Sequence, residues 1–265
     1  SVIRVGDTFY MVSTTMHMAP GCPIMKSYDL VNWETISYVY ARLDEGDAFA
    51  LKNNQNDYAN GSWAANIRYD QYEARFYVIV TCNTTAKSYI FSTNDVENGS
   101  WHRSVVEKCY DPGLLFEDTG AECIKYIVYP SDDLNNHEAY IRQFTTDENH
   151  SVTLGEKRII IEHANIENPA QGLRAEGYHG YKIGDYYYIF MIQGVGAQRQ
   201  EIVWRSKTLE AGSFEVKRVF AGEIEDENSN KPFQFTGIAQ GGIVDTEAGD
   251  WYAFLFQDYG SIGRT

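Results

Sequence analysis

Long apolar runs are missing from this sequence. No stretch approaches the roughly 20 apolar residues that span a bilayer, and no charged-then-apolar leader opens the chain. The expectation is a soluble protein with no membrane contact. Basic residues are scarce too, 22 Lys and Arg against 37 Asp and Glu, for a formal charge of −15. That field repels a phosphate backbone and an anionic surface, so no nucleic-acid partner is expected and a neutral substrate is. Cysteine is limited to Cys22, Cys82, Cys109 and Cys123, with no C-x-x-C spacing and no neighbouring His pair. Metal and redox motifs are therefore absent. Buried free thiols are expected, which leans towards a reducing, cytoplasmic compartment while leaving room for an export signal ahead of Ser1. Also missing is any segment of a dozen residues with a 3.6-residue apolar period. Helices should be few and short.

Aromatic residues are what the chain has in abundance. Its 20 Tyr and 13 Phe favour strands, and five short aromatic runs recur at intervals of roughly 50 to 65 residues, the mark of a repeat architecture. They are Gly6–Val12, Arg75–Val80, Lys125–Tyr129, Gly184–Phe190 and Gly249–Phe254, each read as the leading strand of a unit, most of them after a Gly-Asp turn. A second pattern, a strand followed by a polar turn and a packing aromatic, recurs at Ser27–Trp33, Ser92–Trp101 and Ser206–Phe214. Units of about four strands repeated without helices fit radial blades around a channel better than a sandwich. The predicted architecture is all-β, a five-bladed β-propeller forming one catalytic domain over residues 1–265. Both ends read as interrupted strands, as in a chain truncated at each end.

In such a ring the innermost strand of each blade lines the channel, so acidic residues that begin those strands converge on one axial hollow. Asp111, in Asp111-Pro112-Gly113-Leu114-Leu115-Phe116, precedes an apolar strand; an Asp before Pro is also a common turn former. Glu176, in Arg174-Ala175-Glu176-Gly177-Tyr178-His179, sits among small residues that lead into the most aromatic strand. A surface carboxylate paired with Arg174 is its plainer reading; burial near tyrosines would make it a general acid. Asp7 repeats the Gly-Asp turn of Asp185 and Asp250 and reads as a turn residue. Trp63 would either stack on a sugar face or pack a blade. His17 reads as a residue of the rim, and His179 as a satisfied structural imidazole.

Several segments together resemble glycoside hydrolase family 43: Ser1-Val2-Ile3-Arg4-x-Gly6-Asp7-x-Phe9-Tyr10, Asp29-Leu30-Val31-Asn32-Trp33, Gly61-Ser62-Trp63-Ala64, Asp111-Pro112, Ala175-Glu176-Gly177, Gln240-Gly241-Gly242, Gln257-Asp258 and Gly263-Arg264. The resemblance spans the chain in order. It implies an inverting exo-glycosidase of the β-xylosidase or α-L-arabinofuranosidase type, acting on arabinoxylan or xylo-oligosaccharides, with Glu176 as general acid and Asp111 as the carboxylate that orients it and tunes its pKa. The family's general base lies in an Asp-Pro pair directly before the Ser-Val-Ile-Arg run, so here it is expected just upstream of Ser1. Arg264 is expected to reach a sugar hydroxyl or Asp111, and Trp63 and His17 to contact substrate. No cofactor is required for the chemistry. Many relatives carry a His at position 239 that faces the channel and helps hold a metal, often calcium; Ala239 cannot ligate, so a structural calcium would rest on oxygen donors such as Gln240 and water. A carbohydrate-binding propeller without catalysis is the alternative, motivated by the unassigned base and by Ala239.

Overall fold

The computed structural model describes residues 1–16, 20–44, 46–57, 60–132, 137–166, 174–195, 198–221, 235–259 and 263–264; the side chains of 195, 198, 220–221, 235–239, 257–259 and 263–264 lie outside the description. The described residues form strands and turns with no helix, and so none long and apolar enough to cross a membrane. Every pairing is antiparallel, and all but that of β13 with β11 join strands consecutive in the chain. The first sheet is β1 (Val2–Val5), β2 (Thr8–Val12), β3 (Gly21–Ser27) and β4 (Glu34–Tyr40). The second is β5 (Ser62–Asp70), β6 (Arg75–Cys82), β7 (Lys87–Thr93) and β8 (His102–Glu107). The third joins β9 (Gly113–Asp118), β10 (Cys123–Pro130) and β11 (Ala139–Thr146) to β12 (Val152–Leu154) and β13 (Arg158–Ile161), both of which pair with β11. The fourth is β14 (Glu176–Ile183), β15 (Tyr186–Val195), β16 (Gln198–Ser206) and β17 (Glu215–Ala221). The last is β18 (Phe235–Asp245), β19 (Trp251–Tyr259) and β20 (Gly263–Arg264).

The arrangement is a β-propeller, but the expected count of five blades is corrected. Four sheets are full blades of four or more strands, and the sheet of β18 to β20 carries only three strands among the described residues. A second correction concerns the aromatic runs. They are the second strand of each sheet, β2, β6, β10, β15 and β19, because the Gly-Asp dipeptides form the hairpin turn that joins them to the strand before. Gly6, Gly184 and Gly249 have φ of 64°, 54° and 87°, the left-handed backbone that a tight hairpin turn requires. The second recurring pattern falls each time between a sheet's third and fourth strands. There Asp29 accepts N–H bonds from Val31 and Asn32, and Asp95 accepts them from Glu97 and Asn98, local bonds that fix the turn.

Strand alternation packs one blade on the next. Leu114 points into a cluster with Tyr77, Ile79 and Ile90 of the second sheet, while Leu115 points into a cluster with Tyr178, Ile189 and Ile202 of the fourth. Both leucines are fully buried, and burying such a side chain stabilises by about 1.5–3 kcal/mol. Val78 and Val80 pack against Ile3, Tyr10 and Ile24 of the first sheet, and Val2 and Phe9 pack against Val244 of the last. The inner strands accordingly touch in the cyclic order β1, β5, β9, β14, β18 and back to β1. Arg4 on β1 reinforces that return with an ion pair to Asp245 on β18 at 2.5 Å. As expected, the four cysteines are free; Cys22, Cys82 and Cys109 are buried and Cys123 is half-buried.

Candidate active site

Inner strands of a propeller run the same way along the channel, so their first residues gather at one mouth. Asp111 stands two residues ahead of β9, and Glu176 opens β14. What brings them together is the close approach of these two strands. Gly113 lies so near the Tyr178 carbonyl that an added Cβ would sit 2.6 Å from its carbon, so only glycine lets the two backbones touch there. The result is a pair of reciprocal links. The Tyr110 hydroxyl donates to Glu176 Oε2 at 3.2 Å, and the Gly177 N–H donates to Asp111 Oδ2. Gln240 Nε2 reaches Asp111 Oδ1 at 3.4 Å from β18. Asp111 holds φ at 41° and Gln240 at 47°, left-handed values that cost a non-glycine residue about 1–3 kcal/mol each.

Burial, and then the neighbouring Glu176 charge, push Asp111 up to about 7. Burial also raises Glu176, against the opposing pull of the Tyr110 hydrogen bond and the Arg174 and Arg199 charges. Two carboxyls so placed compete for one proton near neutrality. Arg174 is buried, stacks its guanidinium on the Tyr110 ring at 4.6 Å, and leaves Nη1 without a partner. Below the pair, His179 is buried and bonded through Nδ1 to Asn66 Nδ2 at 3.1 Å. Burial, aided by nearby positive charge, holds this imidazole well below its usual pKa. It is therefore neutral and structural, as the sequence reading had it.

Of the predicted site residues, the structure brings Asp111 and Glu176 together and adds Gln240 to them. Gln240, named as a possible oxygen donor to a calcium ion, donates through its amide nitrogen to Asp111. Trp63 lies near the start of β5, half-buried, with its indole N–H buried and unpartnered; it bonds neither carboxylate. His17 lies outside the described residues. Arg264 has its backbone in β20, paired with Asp258, and its side chain lies outside the description, so its expected contact with Asp111 lies there too. Ala239 sits opposite Phe256 at a bulge of β18. Among the described residues no three His, Cys, Asp or Glu side chains gather as a metal site. Tyr110 and Arg174 are the residues that sequence reasoning missed in these roles; Arg174 lies two positions before Glu176, and Tyr110 directly before Asp111 although it bonds Glu176.

Residues 1–264 match the family described as glycosyl hydrolases family 43. The chain belongs to this family. A non-reducing end α-L-arabinofuranosidase of Bacteroides ovatus is 30% identical over 261 residues, which cover 96% of this chain and 44% of that protein. A β-xylosidase of Formosa agariphila is 23% identical over 267 residues, covering 94% and 42% respectively. Among solved structures, a bifunctional GH43-CE protein of Bacteroides eggerthii superposes with a TM-score of 0.80 at 36% identity, over 100% of this chain and 31% of that one. An engineered family 43 enzyme with endo-xylanase and exo-arabinofuranosidase activity superposes with a TM-score of 0.75 at 27% identity, over 99% and 47%. The chain thus spans less than half the length of these relatives.

Gly177 offers a direct test of the family 43 site. It has φ of 67°, and an added Cβ would lie 2.6 Å from Gln240 Cδ. Gly177→Ala is expected to turn the N–H away from Asp111 and displace Gln240, lowering kcat about tenfold or more with the far-UV spectrum retained; steady-state kinetics on a nitrophenyl glycoside read this out.

Proposed function

We propose that the chain is the catalytic unit of an inverting exo-glycosidase that removes terminal α-L-arabinofuranosyl or β-D-xylosyl residues from arabinoxylan or xylo-oligosaccharides. The observation that carries the reading is the linked pair of Asp111 and Glu176, two half-buried carboxyls at one mouth of the channel with raised proton affinity. Inversion needs an acid to protonate the leaving oxygen and a base on the opposite ring face to activate water. Asp111 accepts two N–H donors and Glu176 one hydroxyl. Hydrogen bonds from N–H favour the charged form, so Asp111 takes the negative charge and Glu176 the proton. Glu176 is then the general acid and Asp111 the carboxylate that keeps it protonated. Trp63, half-buried near the start of β5, offers an aromatic face to the sugar.

The base is proposed just ahead of Ser1. In support, β1 ends beside β18 at the far mouth, where Arg4 meets Asp245, so Ser1 stands at the end of β1 nearer the carboxylates. The sheet of β18 to β20 is proposed as the fifth blade, supported by the cyclic order of the inner strands. The named relatives support both sugars.

The test is turnover of nitrophenyl α-L-arabinofuranoside and β-D-xyloside by the complete protein, with the first-formed anomer read by proton NMR. Hydrolysis with inversion is expected; no turnover of either glycoside, or retention, would contradict the proposal. Because the chemistry is assigned to carboxyl groups, prior dialysis against EDTA is expected to change kcat by less than about twofold; a loss restored by added calcium would reverse the metal assignment.

A further inference from the structure

The channel has a second mouth. At the carboxyl-terminal ends of the inner strands lies a cavity of about 410 Å³, lined by Arg4, Arg68, Tyr72, Tyr181, Lys182 and Trp251 among others, a volume within the range of small-molecule sites, roughly 300–1,000 Å³. The hydrogen bond from Asn66 to His179 lies on the same strands β5 and β14, nearer their starts, so this cavity is separate from the mouth that holds Asp111 and Glu176.

Arg68 is the unusual group there. Its side chain is 7% exposed, and it carries no carboxylate partner among the described residues. Nη1 donates to the Ile67 carbonyl at 2.7 Å and Nη2 to the Gly180 carbonyl at 2.9 Å, and the guanidinium stacks on Tyr181 at 4.6 Å. Nη1 also donates to the Ser1 hydroxyl at 3.4 Å; a buried cation that meets only neutral acceptors and a ring favours an anion, and a guanidinium presents a planar fork to carboxylate oxygens. The other charges of the lining are nearly balanced. Arg4 pairs with Asp245, and Asp118 accepts from Gln71 at 2.6 Å and from Tyr72. With Lys182, three cations face two carboxylates, which leaves one positive charge in a protein whose net charge is −15. The walls are also aromatic and open: Trp251 is 49% exposed and Tyr72 42%. Isolated exposed aromatics are ordinary; two that flank a cavity holding a buried cation offer flat faces to a ring.

We infer that this second mouth binds a sugar ring that carries one carboxylate, such as a hexuronic acid, with the carboxylate at Arg68 and the ring against Trp251 and Tyr72. The inference is independent of the proposed hydrolysis, since none of these residues belongs to the catalytic mouth. The test is isothermal titration of the complete Glu176→Gln protein with D-glucuronate, D-xylose, acetate and inorganic phosphate. Glucuronate is expected to bind more tightly than acetate or phosphate, with excess xylose leaving that binding unchanged. Trp251→Ala is expected to weaken glucuronate about tenfold, the loss of one ring contact, with the fold intact because Trp251 is half exposed; Arg68→Met is expected to erase the preference for the acid over its neutral analogue. Glucuronate binding that is undetectable, that is displaced by xylose, that survives Trp251→Ala unchanged or that is matched by phosphate would overturn the inference.

Discussion

Glu176→Gln is expected to lower kcat on an unactivated xylo-oligosaccharide about 10²- to 10⁴-fold, the ordinary worth of a positioned general acid. The amide keeps the shape of the side chain and still accepts the Tyr110 hydroxyl, so what is lost is the proton delivered to the leaving oxygen. The same substitution should cost far less on a dinitrophenyl glycoside, whose leaving group departs without protonation. That contrast separates loss of acid catalysis from loss of fold, because a misfolded protein fails on both substrates equally. Steady-state kinetics on the two substrates, with KM measured alongside kcat, decide the matter; equal losses would remove Glu176 from the acid role.

Asp111→Asn acts through charge rather than through contact. The amide can still accept the Gly177 N–H, and Gln240 can turn its own oxygen towards the new donor. Removing the negative charge beside Glu176 makes its carboxylate easier to form, so its pKa falls and the alkaline limb of kcat/KM moves to lower pH by roughly 1 unit or more. Stability moves in the other direction. Burial and Glu176 raise the folded-state pKa of Asp111 to about 7, against an ordinary value near 3.9. Between these pH values the folded pair, Asp111 and Glu176 together, keeps one proton that the two residues have released in the unfolded state, so the contribution of the pair to stability declines as pH rises through that window. Asp111→Asn is therefore expected to raise Tm relative to the native protein at pH 8 and to change it little at pH 4. An unchanged pH profile, or a Tm difference that is the same at both pH values, would show that the two carboxyls do not interact.

Such a pair, less stable for being poised, is where local sequence reasoning has least grip. The strands themselves were legible: the aromatic runs at Arg75–Val80 and Lys125–Tyr129 are strands of the structure, because β-branched and aromatic residues pack well on a pleated surface. Their rank within the blade was not legible, since a Gly-Asp turn marks a hairpin without saying which strand is the inner one. Asp111 and Glu176 were found by their position ahead of apolar strands and by the family resemblance. The bond from Gln240 to Asp111 was not legible, because a bulge at Ala239 and Gly241 shifts the strand's register, and bulges leave no periodic signal. Tyr110 escaped notice, and Arg174 was weighed only as a surface partner of Glu176, because their roles depend on β9 lying against β14, a contact between residues 66 positions apart in the Tyr110–Glu176 bond. The second mouth has no sequence motif; Arg68 and Trp251 meet around it only when the ring of inner strands forms.

The most direct measurement is the titration of the Glu176 side chain by carbon-13 NMR on protein labelled at the glutamate carboxyl carbons, with the resonance assigned by its loss in Glu176→Gln. The account predicts a titration raised above the ordinary glutamate value in the native protein, displaced downward in Asp111→Asn. A carboxyl that titrates near the usual 4.3 and ignores the state of residue 111 would contradict it.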